Sequence, residues 1–170
     1  MRILVLIAVL GGCLLMNVDH SFAQLGPKQG GAAGQQAAGQ VVSRITPEQL
    51  ATVLTQAGMR SQVATTQDGQ KYVKVSVGEL KSPYVALGNC NNQGCGDLLF
   101  GAYFNADPNV TADNVNAWNA QYRFAKVYLD SDGGVAFELD MTLAGGVTLE
   151  NIKENGRLFA ALLTKYYEGE

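Results

Sequence analysis

The chain has 170 residues, 47% of them apolar, with 12 Lys and Arg against 15 Asp and Glu, one His and three Cys. This is enough for one globular domain with appendages. A net charge of −3 offers phosphates no positive field, which excludes nucleic acid as a main partner, and a charged content of 16% is too low for charge-driven disorder.

Met1 and Arg2 precede an apolar run from Ile3 to Met16, and Ser21-Phe22-Ala23 presents small residues where a signal peptidase reads them. As a helix the run measures about 21 Å, short of a ~30 Å hydrocarbon core. The expectation is therefore a signal peptide over 1–23, cleaved after Ala23, with no permanent membrane span and a periplasmic or secreted product. Lipidation at Cys13, which follows Leu10-Gly11-Gly12, is the weaker alternative because the apolar run continues past it through Met16. Cleavage removes Cys13 and His20, so the mature chain keeps no His and two cysteines, Cys90 and Cys95.

Residues 24–44 read as a flexible leader: fourteen of the seventeen from Gln24 to Gln40 are Gln, Gly or Ala, with no apolar period to bury. The folded domain is then 45–170. Thr46-Pro47-Glu48-Gln49 is a helix start with a cap, a proline at the first position and a glutamine at the third; Leu50, Val53 and Leu54 share one face and Gly58 stops it. Arg60 to Thr66 and Lys71 to Val77 read as strands around Asp68-Gly69, a tight-turn pair. Pro83 to Asn89 and Asp97 to Phe104 are two more, joined by a small polar loop. A second helix spans Asp113 to about Arg123, with Val115, Trp118 and Tyr122 at helical spacing and Trp118 turned inward.

From Ala125 the period switches to two. Val127 and Leu129, then Val135, Phe137, Leu139 and Met141, form an apolar face, while Lys126, Glu138 and Asp140 lie on the other. A three-residue loop with Gly133 left-handed pairs Leu129 with Val135, Val127 with Phe137 and Lys126 with Glu138; a two-residue loop would set Val127 against Glu138. After Gly145-Gly146, Thr148 caps a last helix carrying Leu149, Ile152, Phe159, Leu162, Leu163 and Tyr166 on its buried stripe. The predicted order is α-β-β-β-β-α-β-β-α, an α+β domain with a mainly antiparallel sheet.

Candidate chemistry is sparse. In an oxidising compartment Cys90 and Cys95 default to a local disulfide, with a redox-active pair as the alternative. A zinc site fails because two sulfurs with no mature histidine cannot complete it, so neither a metal nor a cofactor is expected. Without histidine no Ser-His-Asp or Cys-His arrangement exists. Glu138 and Asp140, about 6.6 Å apart along one strand, have the spacing of a carboxylate pair, but the same alternation describes an ordinary solvated strand face. Asp130-Ser131-Asp132-Gly133-Gly134 reads as a turn rather than a calcium loop, since the closing acidic position falls on Met141. Gly145 and Gly146 read as backbone punctuation rather than a phosphate loop.

The run Asn116-Ala117-Trp118-Asn119, Arg123-Phe124-Ala125, Tyr128-Leu129-Asp130, Asp132-Gly133, Glu138-Leu139-Asp140 and Gly145-Gly146-Val147 resembles the signature of the bacterial YbjN domain family, as do Thr46 to Leu50 with Gly58 and the segment Cys90 to Phe104. The resemblance covers about Ile45 to Tyr166. It implies a fold similar to type III secretion chaperones, often dimeric, the label of a sensory transduction regulator, and no catalytic residues. Asn116, Trp118, Asn119 and Arg123 are the candidate binding residues: they serve either as architecture, with Arg123 paired to a carboxylate such as Asp140, or as a recognition surface for a protein partner or a second copy. The leading expectation is a non-catalytic exported interaction module, regulatory or chaperone-like; the runners-up are a carboxylate hydrolase using Glu138 and Asp140 and a redox sensor.

Overall fold

The computed structural model describes residues 39–169; the stretch read as a signal peptide, with Cys13 and His20, and the stretch read as a leader through residue 38 lie outside them. Strand β1 (Val41–Val42) comes first, so ordered pairing begins inside the stretch read as leader. Helix α1 (Pro47–Gln56) starts as its sequence dictates: Thr46 Oγ1 accepts from the Gln49 amide at 3.2 Å and Gln49 Oε1 accepts from the Thr46 amide at 3.0 Å. Leu50, Val53 and Leu54 are its buried stripe.

Strands β2 (Arg60–Thr65) and β3 (Lys71–Ser76) pair with Val63 opposite Val73. Thr66 N–H donates to the Gln70 carbonyl at 2.9 Å, so the loop is Gln67-Asp68-Gly69, with Gly69 at φ 86°, rather than a two-residue turn on Asp68-Gly69. The shorter turn would have slid Val63 against Lys74 and spoiled the apolar pairing. Strands β4 (Tyr84–Asn91) and β5 (Gly94–Phe104) run further than their apolar patterns, leaving only Asn92-Gln93 as a connection. Cys90 thus lies directly across from Cys95 within a hairpin rather than in a loop.

Helix α2 (Ala112–Gln121) is capped by Thr111 and Asn114 and ends two residues before the expected Arg123. Tyr122 is extended and Phe124 left-handed at φ 76°, because the chain must swing from the helix axis into the sheet by Ala125. Strands β6 (Lys126–Leu129) and β7 (Val135–Thr142) pair in the expected register, Val127 with Phe137 and Lys126 with Glu138, and Gly133 takes φ 80° in the three-residue loop. A short β8 (Val147–Thr148), not foreseen, pairs with β1 before α3 (Leu149–Glu168), which Thr148 caps by accepting the Asn151 amide at 3.1 Å.

The main sheet is six-stranded, ordered β2-β3-β4-β5-β7-β6, with every pairing antiparallel. All three helices pack on one face. Phe159 of α3 meets Phe100 and Phe137 with ring centroids 5.6 and 5.9 Å away, Trp118 of α2 meets Phe137 at 5.3 Å, and Leu54 of α1 joins the same buried core. Gly156 makes room on α3 for Leu54 of α1 and for Met59 just beyond it: a Cβ there would fall 2.5 Å from Met59 Cε and 3.1 Å from Leu54 Cδ2. Among the described residues, no helix is long and apolar enough to cross a membrane.

Candidate functional site

Because side chains alternate along a strand, the register that sends Val73, Val85, Phe100 and Phe137 toward the helices sends Tyr72, Tyr84, Leu99, Tyr103, Tyr128 and Ala136 to the opposite face, which none of the described helices covers. Two glycines shape this face. The Tyr84 ring lies across Gly101 on the neighbouring strand, where a Cβ would come within 2.7 Å of its Cζ, and the Tyr103 phenol fills the space a Cβ on Gly134 would need. The rings lie flat over backbone, and Tyr103 and Tyr128 are 44% and 41% exposed.

Carboxylates pin the phenols. Tyr128 donates to Glu138 Oε1 at 3.0 Å and Tyr103 donates to Asp130 Oδ2. The hydrogen bond to Glu138 raises the Tyr128 pKa, and that to Asp130 raises the pKa of Tyr103; burial, then the Glu138 charge, raises that of Tyr84. Tyr84, Tyr103 and Tyr128 are therefore neutral phenols at physiological pH. Lys126 Nζ reaches Asp140 Oδ2 at 3.0 Å and Glu138 Oε2 at 3.1 Å, which raises the lysine pKa, the Asp140 bond contributing most. By register Arg60 and Lys74 lie at the other end of the face, so it is basic over β2 and β3 and acidic over β7.

The sequence-predicted binding residues do not gather into one site. Asn119 brackets the backbone of Val127, donating to its carbonyl at 2.7 Å and accepting from its amide at 2.9 Å. Trp118 packs in an aromatic cluster, 4.7 Å from Tyr122, 5.3 Å from Phe137 and 5.6 Å from Tyr166. Asn116 is exposed on α2, and Arg123 lies 5.2 Å over the exposed Phe124 ring. Asp140 is paired with Lys126, not with Arg123, because Lys126 sits opposite Glu138 in the adjoining strand whereas Arg123 precedes the strand in the turn.

The other candidates also find structural places. Glu138, whose side chain is mostly covered, and the exposed Asp140 share one lysine on the sheet face rather than standing as a free pair. Asp130 spends its carboxylate on the amides of Asp132 and Gly134, at 2.9 and 2.8 Å, and on Tyr103. Cys90 and Cys95 form a disulfide with Cα atoms 3.9 Å apart. That hairpin tip grips the chain before α1: Ile45 and Cys95 exchange both backbone hydrogen bonds at 3.0 and 2.9 Å, and Arg44 donates to the Asn89 and Gly94 carbonyls. Gly94, at φ 125°, is required there, since a Cβ would meet the Ile45 backbone at 2.9 Å. The tyrosine platform escaped sequence reasoning because its members come from four strands; the signal was the tyrosines and glycines sharing alternate positions, visible only once the strands are aligned.

The fold defines a class: small α+β modules whose helices cover one face of an antiparallel sheet and leave the other uncovered. The YbjN family model, described as "Putative bacterial sensory transduction regulator", matches residues 46–169, and the chain belongs to the YbjN family. Among solved structures it is similar to the "Crystal structure of YbjN, a putative transcription regulator from E. coli", with a TM-score of 0.54 and 16% identity over 76% of this chain and 96% of that chain, a likeness of fold. No curated protein matches the sequence. The family description is that of a regulator, not of an enzyme.

Proposed function

We propose that this chain is an exported, non-catalytic YbjN-type module that works in the bacterial envelope by binding another protein across its open sheet face, in a regulatory or chaperone-like capacity. The observation that carries the reading is the row of tyrosines on a sheet face that none of the described helices covers, two of them, Tyr103 and Tyr128, half-exposed and held by carboxylates, since rigid aromatic side chains make large contacts at small entropic cost. The signal-like 1–23 segment and the Cys90–Cys95 disulfide support the envelope location. The carboxylate-hydrolase reading is the weaker one, because Lys126 engages both Glu138 and Asp140 on the sheet face.

The test is affinity purification of the tagged protein from its own cells after fractionation, beside Leu99→Asp, which sets a charge amid the tyrosines. The expected result is recovery from the envelope fraction of a specific partner that Leu99→Asp no longer retains, while its unfolding temperature holds. A cytoplasmic location overturns the envelope part, and a partner retained equally by the variant overturns the assignment of the face.

A further inference from the structure

On the helix side, where β5 ends, the loop after it, α2 and the last turn of α3 enclose a cleft of about 580 Å³, within the ~300–1,000 Å³ range of small-molecule sites. It is separate from the tyrosine face and independent of the function proposed for that face. Its apolar wall is aromatic: Phe104 and Tyr167 stack at 6.3 Å with 19° between their planes, and Tyr166 meets Trp118 edge-on at 5.6 Å. Its rim is made of amides, Asn105, Asn109 and Gln121, with one acid, Asp107, and one base, Lys165. Trp118, which lines the cleft, has a buried indole N–H that no acceptor among the described residues satisfies.

We infer that this cleft is a binding site for a neutral saccharide. Flat aromatic rings suit the C–H face of a pyranose, and carboxamides, each both donor and acceptor, suit hydroxyls, which are the same. The single acid and base cancel, so nothing in the cleft selects an ion. Asn109 Nδ2 donates to Asp107 Oδ1 at 2.9 Å and Gln121 Nε2 to the Tyr122 phenol at 3.3 Å, so it is their carboxamide oxygens that an apolar peptide or acyl chain would strip of water and a hydroxylated ligand would satisfy.

Trp118 is the chain's one tryptophan, so its emission reports this cleft. The full chain, as its host processes it, is titrated with chitobiose, cellobiose and maltose, and with a short apolar peptide, alongside Tyr167→Ala and Gln121→Ala. Both positions are exposed, and Tyr167 is 61% so. The expected result is a saturable change in Trp118 emission with at least one disaccharide, weakened roughly tenfold in Tyr167→Ala, the size of one lost aromatic contact. If Tyr167→Ala loses its thermal transition, Gln121→Ala decides, with weaker binding expected at unchanged stability. No saturable change up to about 50 mM of any of the three sugars, a concentration at which even millimolar affinity would register, overturns the site. So does equal binding by the folded variants, or saturation by the peptide alone.

Discussion

On the outer edge of β6 the backbone of Val127 has no neighbouring strand among the described residues, and the Asn119 carboxamide takes that place, with one donor and one acceptor at 2.7 and 2.9 Å. It both satisfies the edge and blocks strand addition there. Asn119→Ala is expected to cost about 1–3 kcal/mol, the range for leaving part-buried backbone groups unpaired, read as a lower urea midpoint. Asn119→Asp should not rescue it, because a carboxylate oxygen would then face the Val127 carbonyl. Asp130 offers a test by pH. The Tyr103 hydrogen bond, with backbone amides behind it, holds its pKa below the usual 3.8 in the folded state. A depressed folded value means the stabilisation is present above the unfolded pKa and is lost as pH falls through the folded one. The stability difference between the natural chain and Asp130→Asn should therefore be largest near neutrality and shrink below about pH 4. Because Tyr103 is raised by the same bond, its share should vanish again as the phenol ionises in strong alkali. A difference flat across the acid limb would mean the carboxylate is not held by these donors.

Among elements, the β4–β5 hairpin carries the most consequences. Its disulfide, its left-handed Asn89 and Gly94, and its grip on Ile45 lie within one tip, so the covalent link and the anchoring of the segment before α1 are coupled. Joining Cys90 to Cys95 closes a loop of about six residues, worth about 2 kcal/mol on the chain-entropy estimate. The double variant Cys90→Ser, Cys95→Ser should stay folded with stability lowered by about that amount, and thiol-reactive labelling of the natural chain without reductant should find no free thiol on these two cysteines. A redox-sensing role further requires the bond to open at envelope potentials, which titration against a glutathione buffer measures. The capped helices and the β6–β7 hairpin were legible in the sequence because their determinants are local: Thr46 with Gln49, Thr148 at the head of α3, and strict alternation around Gly133. The full length of β4 and β5 was not, since Gly94 and Gly96 carry no strand signal and are held by the facing strand and by Ile45.

Across the whole molecule, one sheet separates two surfaces of different character. The helix side holds the core and, at its margin, the amide-rimmed cleft; the other side offers neutral tyrosines between a basic and an acidic end. The β1–β8 pairing adds a third relation, tying the segment before α1 to the start of α3 through Val41 with Thr148 and Val42 with Val147. A chain beginning at Ser43 is expected to fold, because Ile45 and α1 keep their contacts, and to lose about 1–2 kcal/mol from the missing ladder bonds and Val42 contact. A denaturant titration checks this; complete loss of the transition would make the Val41–Val42 segment part of the core.

By itself the sequence determined the three helices, the approximate places of the six main strands, the β6–β7 register, the disulfide partners and the family, because each rests on residues close together or on periodicity along one segment. Only the tertiary structure decided that Asp140 pairs with Lys126, that Asn119 finishes a sheet edge, and that Trp118 is both core and cleft wall. It also assembled the tyrosines of four strands into one face. Those outcomes depend on which strands become neighbours, and in an antiparallel sheet ordered β2-β3-β4-β5-β7-β6 the adjacency of β5 and β7 is settled by packing between distant segments, not by any local signal.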